Sequence, residues 1–79
     1  GVSFSVWFKK DQAGSLAAVL NFLAEHQINL TKLDSRRASE SKYGGYWFFM
    51  DAEIGIEDFR SYLPKLKKIV GGVKVLGSW

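Results

Sequence analysis

Apolar side chains recur at every second position over Val2, Phe4, Val6 and Phe8, and from Leu16 the interval lengthens to three and four through Val19, Leu20 and Leu23. The first period is that of a strand with one apolar face, the second that of a helix with one apolar stripe. A chain that switches between them so early buries both faces by laying a helix against a sheet.

The remaining elements follow from the same reading. Asp11 to Gly14 reads as a turn and Ser15 to His26 as the first helix, with Ala17, Ala18 and Ala24 adding propensity. Gln27 to Asn29 closes it. Leu30 to Ala38 reads as a second strand that leaves through Ser39-Glu40-Ser41 and Gly44-Gly45 in a hairpin-like connection. Tyr46 to Ile54 is a third strand, and aromatic residues on both of its faces place it mid-sheet. Gly55 ends it. Phe59, Tyr62, Leu63, Leu66, Ile69 and Val70 then recur at helical spacing, with Glu57 and Asp58 at the start and Lys65, Lys67 and Lys68 near the end, as the helix dipole favours. Pro64 removes a backbone hydrogen bond inside this segment and predicts a kink or a short break. Gly71-Gly72 closes the helix, and Val73 to Leu76 forms a short fourth strand. The order predicts an α+β fold of the ferredoxin-like βαββαβ type, a four-stranded antiparallel sheet with two helices on one face.

At 79 residues the chain is a single domain, small enough to gain stability from a ligand or a sister subunit. It holds no cysteine and one histidine, so neither a disulfide framework nor a metal centre is expected, and no cofactor is. The apolar run Tyr46 to Met50 falls far short of the roughly 20 residues that span a membrane, which predicts a soluble domain. Eleven basic residues against eight acidic ones give a net charge of +3, a tilt too slight for a nucleic-acid footprint. Beginning at Gly1 and ending at Trp79 beside a strand, the sequence reads as a piece of a larger parent.

Catalysis finds no support. A nucleophile needs a base within hydrogen-bond reach, and the lone imidazole, His26, reads as a surface or C-capping group at a helix end. Asp51, Glu53, Glu57 and Asp58 span a strand end and a helix start, where carboxylates serve solubility and the dipole. Two other stretches carry more. Asp11-Gln12-Ala13-Gly14-Ser15-Leu16 feeds a helix N-terminus, whose unpaired N–H groups favour a carboxylate, and Gly14 leaves the backbone open to approach. The segment Ile28 to Arg36 interleaves polar Asn29, Asp34, Ser35 and Arg36 with apolar residues. Either stretch alone reads better as scaffold, a turn glycine and an exposed strand face.

Together they carry a resemblance. The run Asp11 to Arg36, followed by Tyr46-Trp47-Phe48-Phe49-Met50-Asp51 and Val75-Leu76-Gly77-Ser78-Trp79, resembles the ACT domain of prephenate dehydratases over nearly the whole chain. That family carries Gly-Ala-Leu before its first helix and Glu-Ser-Arg-Pro at the end of strand two; here Gly14-Ser15-Leu16 and Asp34-Ser35-Arg36-Arg37 stand in their places. Regulatory domains of the aromatic amino-acid hydroxylases share both motifs. The resemblance implies a cytoplasmic, non-catalytic domain that pairs with itself, binds L-phenylalanine at the seam and turns down the catalytic domain of a prephenate dehydratase. It implies a ligand site drawn from Ala13, Gly14, Ser15, Leu16, Asn29, Leu30, Thr31, Leu33, Asp34, Ser35 and Arg36. In that site the helix N-terminus takes the carboxylate, Asn29 and the Leu30 backbone take the polar head, and Leu16, Leu30 and Leu33 line the side-chain pocket. Asp34, Ser35 and Arg36 brace it.

Two departures from the family pattern matter: Pro-Gly-Ala-Leu becomes Ala13-Gly14-Ser15-Leu16, where Ser15 adds a hydroxyl, and Arg37 replaces the proline of the second motif. Two rival readings exist. A ligand-free dimerisation module would use Trp7, Trp47 and Phe49 as an interface. An RNA-recognition motif shares the strand order, but Lys42-Tyr43-Gly44-Gly45-Tyr46 matches its glycine–aromatic signature poorly.

Overall fold

The computed structural model describes residues 1–8, 13–37 and 46–79, with the backbone alone at Ala13 and Arg37. Six elements follow in the order β1 (Val2–Phe8), α1 (Ala13–Glu25), β2 (Leu30–Arg37), β3 (Tyr46–Ala52), α2 (Ile56–Leu66) and β4 (Gly72–Ser78). The strands form one sheet in the order β2-β3-β1-β4, every neighbouring pair antiparallel. This is the ferredoxin-like sandwich expected from the order of elements.

Alternation along β1 decides which face is covered. Val2, Phe4, Val6 and Phe8 are buried, and their partners across β3 are Ala52, Met50, Phe48 and Tyr46. Onto this face α1 sets Val19, Phe22 and Leu23 and α2 sets Phe59 and Leu66, with Phe4 and Phe59 in ring contact at 4.6 Å. Both helices therefore share one side of the sheet, and among the described residues no element covers the other, open side. On that open side Trp7 pairs with Trp47, Ser5 with Phe49 and Ser3 with Asp51.

Several boundaries differ from the sequence reading. Helix α1 starts at Ala13, so Ala13 and Gly14 belong to the helix and not to the turn before it. The rest of that turn, and the connection after β2 with Ala38, Ser39 to Ser41 and Lys42 to Gly45, lie outside the described residues. Strand β3 ends at Ala52, and Ile54 follows it as a partly buried residue. Helix α2 stops at Leu66; Lys68 and Ile69 donate to the carbonyls three residues back, and Ile69 and Val70 pack on the core from this turn. Strand β4 takes in Gly72 and runs on to Ser78. Pro64 breaks nothing: α2 is continuous through it, and Lys67 still donates to the Leu63 carbonyl at 2.9 Å. Pro64 takes away the intrahelical partner of the Arg60 carbonyl, and Arg60 is an exposed residue.

The end of α1 is a Schellman motif. Ile28 donates to the Leu23 carbonyl at 2.8 Å and Gln27 to the Ala24 carbonyl at 3.0 Å, with Gln27 left-handed at φ 57°. Leu23 and Ile28, which bracket the motif, are both in the core. His26 occupies the C-cap position, yet its ring is no free surface group: it contacts the rings of Phe22 and Tyr62, each at 4.6 Å, and ties α1 to α2.

Candidate functional site

Strands β1 and β2 both run antiparallel to β3 and so are parallel to each other. The end of β1 at Phe8 lies level with Tyr46 and Arg37, and α1 begins after that end. Its 13 residues carry the chain back by about 20 Å to the opposite end, where Leu30 lies level with Ala52 and Val2. Gly14, Ser15 and Leu16 therefore sit at one end of α1, and Asn29, Leu30 and Thr31 at the other. The residues the resemblance joins in one site form two groups that a single amino acid cannot bridge inside one protomer.

At the first end, the opening turn of α1 holds no acidic side chain, which leaves the positive end of its dipole uncompensated from within that turn. Gly14 is exposed, and a Cβ added to it would meet nothing within 4 Å. Nothing in the packing of the described residues calls for glycine there, although glycine inside a helix costs about 0.5–1 kcal/mol relative to alanine. Leu16 is half-buried against the core.

At the second end, Asn29 is exposed, and its carbonyl accepts from Glu53 N–H at 2.8 Å, which holds the entry of β2 beside the exit of β3. Leu30 packs partly against the core. The register shifts between Leu30 and Lys32, leaving Thr31 as the extra residue, and its hydroxyl donates to the Asp51 carbonyl at 3.3 Å. This bulge reverses the alternation. Beyond it Leu33 and Ser35 pair with Met50 and Phe48 of the helix-covered face, while Lys32, Asp34 and Arg36 pair with Asp51, Phe49 and Trp47 of the open one. Asp34 and Arg36 thus stand on the opposite side of the sheet from α1. Leu33, expected in a pocket wall, is 45% exposed at the rim of the edge strand.

The open face carries a cavity of about 270 Å³ to which β2 contributes Lys32, Asp34 and Arg36 and β3 contributes Phe49 and Asp51. The Arg36 guanidinium lies over the Phe49 ring, 5.5 Å from its centroid, and the Ser3 hydroxyl donates to the Asp51 carboxylate at 2.6 Å. A second, mostly apolar cavity of about 210 Å³ adjoins it, walled by Trp47 and Lys74 and sharing Phe49 and Leu76 with the first. Lys32, Phe49 and Asp51 were absent from the sequence-derived site; the register of β2 on β3, bulge included, is what assembles them. No helix among the described residues is long and apolar enough to cross a membrane.

A family model described as "ACT domain" matches residues 8–71. Over 78 residues the chain is 33% identical to a prephenate dehydratase of Methanocaldococcus jannaschii, a match that covers 99% of this chain and 28% of that protein. Among solved structures, a prephenate dehydratase from Staphylococcus aureus superposes with a TM-score of 0.82 at 29% identity, over 99% of this chain and 30% of that one. A prephenate dehydratase from Arthrobacter aurescens, solved in complex with L-Phe, shares the fold with a TM-score of 0.78 at 24% identity, over 96% of this chain and 25% of that one. The chain thus spans between a quarter and a third of the length of these proteins.

Proposed function

The chain belongs to the ACT domain family, and from that premise we propose that it is the non-catalytic, regulatory part of a prephenate dehydratase and senses L-phenylalanine. The ligand lies between two copies of the domain. One copy supplies Gly14 to Leu16, whose helix N-terminus takes the α-carboxylate, and the other supplies Asn29 and Leu30, which take the rest of the polar head. Leu16 and Leu30 face the apolar side chain.

The observation that carries this reading is the separation of the two groups along α1. A site that needs both is incomplete in one protomer. Among the described residues edge strand β2 has a neighbour on one side only, and α1 links β1 to β2 across β3. Two β2 edges joined antiparallel about a two-fold axis bring the α1 start of one copy beside the β2 start of the other, twice per dimer. Gly14 fits the same picture, since among the described residues nothing stands within 4 Å of where its side chain would be, and the backbone there is open to a ligand. The relative solved with L-Phe supplies the chemistry of the effector. Binding of phenylalanine regulates the parent enzyme to the extent that it favours one arrangement of domains over another.

An amide NMR titration of the chain with L-phenylalanine tests the reading. Saturable shifts at Gly14 to Leu16 and at Asn29 to Leu30 are expected, and Gly14→Val removes them while leaving a folded dimer. No response in a sample whose diffusion is that of a dimer would overturn phenylalanine as the effector and leave a bare assembly module.

A further inference from the structure

We propose that the open face of the sheet holds a second ligand site, for a free α-amino acid with an aromatic or large apolar side chain, distinct from the seam between copies. The charge pattern and the shape argue for it together. In the larger cavity two cations, Lys32 and Arg36, and two carboxylates, Asp34 and Asp51, converge around Phe49. The balance disfavours a plain anion or a plain cation and suits a ligand carrying one charge of each sign close together.

The groups are also prepared for such a head. The Arg36 guanidinium sits 5.5 Å from the Phe49 ring centroid, a cation–π contact that favours its fork of N–H donors being at the cavity before a carboxylate arrives. Asp51 is fixed by the Ser3 hydroxyl at 2.6 Å, and Asp34 accepts from the Ser35 N–H at 2.9 Å. Each carboxylate keeps acceptor capacity for an ammonium. The smaller cavity continues from the larger across the Phe49 and Leu76 walls and is lined chiefly by apolar surface from Trp47, Phe49 and Leu76. An amino acid whose head occupies the first cavity directs its side chain into the second. Together the two volumes, about 270 and 210 Å³, fall within the size range of small-molecule sites.

This site uses the two residues of the Asp34-Ser35-Arg36 stretch that the bulge turns away from α1, and it needs no second copy. It stands or falls separately from the seam. The test is an NMR titration of the chain with L-phenylalanine, followed at the Trp47 indole N–H and the Phe49 and Leu76 amides, and repeated with 3-phenylpropionate, which lacks the ammonium, and phenethylamine, which lacks the carboxylate. Saturable shifts at these three probes are expected with L-phenylalanine. Asp51→Asn and Arg36→Gln should each weaken them about tenfold or more, as loss of a charge-assisted contact entails. Gly14→Val should leave them intact, and both truncated analogues should bind about tenfold or more weaker. Absence of shifts at the three probes, loss of them in Gly14→Val, or equal binding of 3-phenylpropionate with Asp51→Asn inert would overturn the proposal.

Discussion

Replacing Gln27 with glycine should stabilise the domain, and the size of the gain follows from one dihedral angle. Gln27 is the only described non-glycine residue with positive φ, at 57°, where it closes the Schellman motif after α1. The left-handed conformation costs a side-chain-bearing residue about 1–2 kcal/mol. Glycine adopts it without that penalty but loses about 0.5–1 kcal/mol more chain entropy on folding. The net gain is about 0.5–1 kcal/mol. A 79-residue domain unfolds with an entropy of about 0.17 kcal/mol/K near its midpoint, so the gain corresponds to roughly 3–6 °C in Tm. Differential scanning calorimetry of the wild-type chain, Gln27→Gly and the control Gln27→Ala reads this directly. The alanine variant keeps both the Cβ and the dihedral and should stay within about 0.5 kcal/mol of wild type. A Tm for Gln27→Gly equal to or below wild type would refute the reasoning, because glycine would then contribute its entropy cost with no strain to relieve.

Two further predictions concern stability. Pro64→Ala restores an N–H inside continuous α2 and should raise stability by up to about 3 kcal/mol, seen as a higher urea midpoint at constant m; an unmoved midpoint would contradict it. Gly71→Ala sets a Cβ 2.9 Å from the Trp7 ring and 3.0 Å from the Trp7 carbonyl oxygen, while the Gly71 N–H is bonded to that oxygen at 2.9 Å. It should destabilise by about 1–3 kcal/mol and alter the near-ultraviolet dichroism of the Trp7–Trp47 pair, whose rings lie 6.3 Å apart. A variant as stable as wild type would show that this contact yields freely.

Most of the fold was legible because β1 states its own register. Four buried residues at strict alternation fix one face, and the two helical stripes have only that face to cover. The end of α2 was not legible, since Ile69 and Val70 keep an apolar spacing that serves a core-packed turn as well as a helix. Gly14 reads as a turn residue by habit, and its place inside α1 shows only when the backbone is traced. His26 looks like a lone polar group in sequence; its two aromatic neighbours come from positions four before it on α1 and from α2. The geometry around β2 was not legible. Strict alternation from Leu30 would put Lys32, Asp34 and Arg36 on the helix face, and the bulge at Thr31 moves all three to the open one. No local composition marks that bulge.

The central claim, a phenylalanine site shared by two copies, is tested most directly by mixing two defective chains. Gly14→Val disables the α1 side of the site and Asn29→Ala the β2 side, and each variant alone should show weak L-phenylalanine binding at the seam, read as NMR shifts of the Ser15 and Leu16 amides. Unfolded, mixed in equal amounts and refolded together, half of the dimers pair the two variants. In each of these one seam site carries both defects and the other carries neither, so about a quarter of the wild-type seam sites should be recovered at wild-type affinity. A mixture that binds no better than its components would contradict the shared site, because residues joined within one protomer cannot be complemented by a partner.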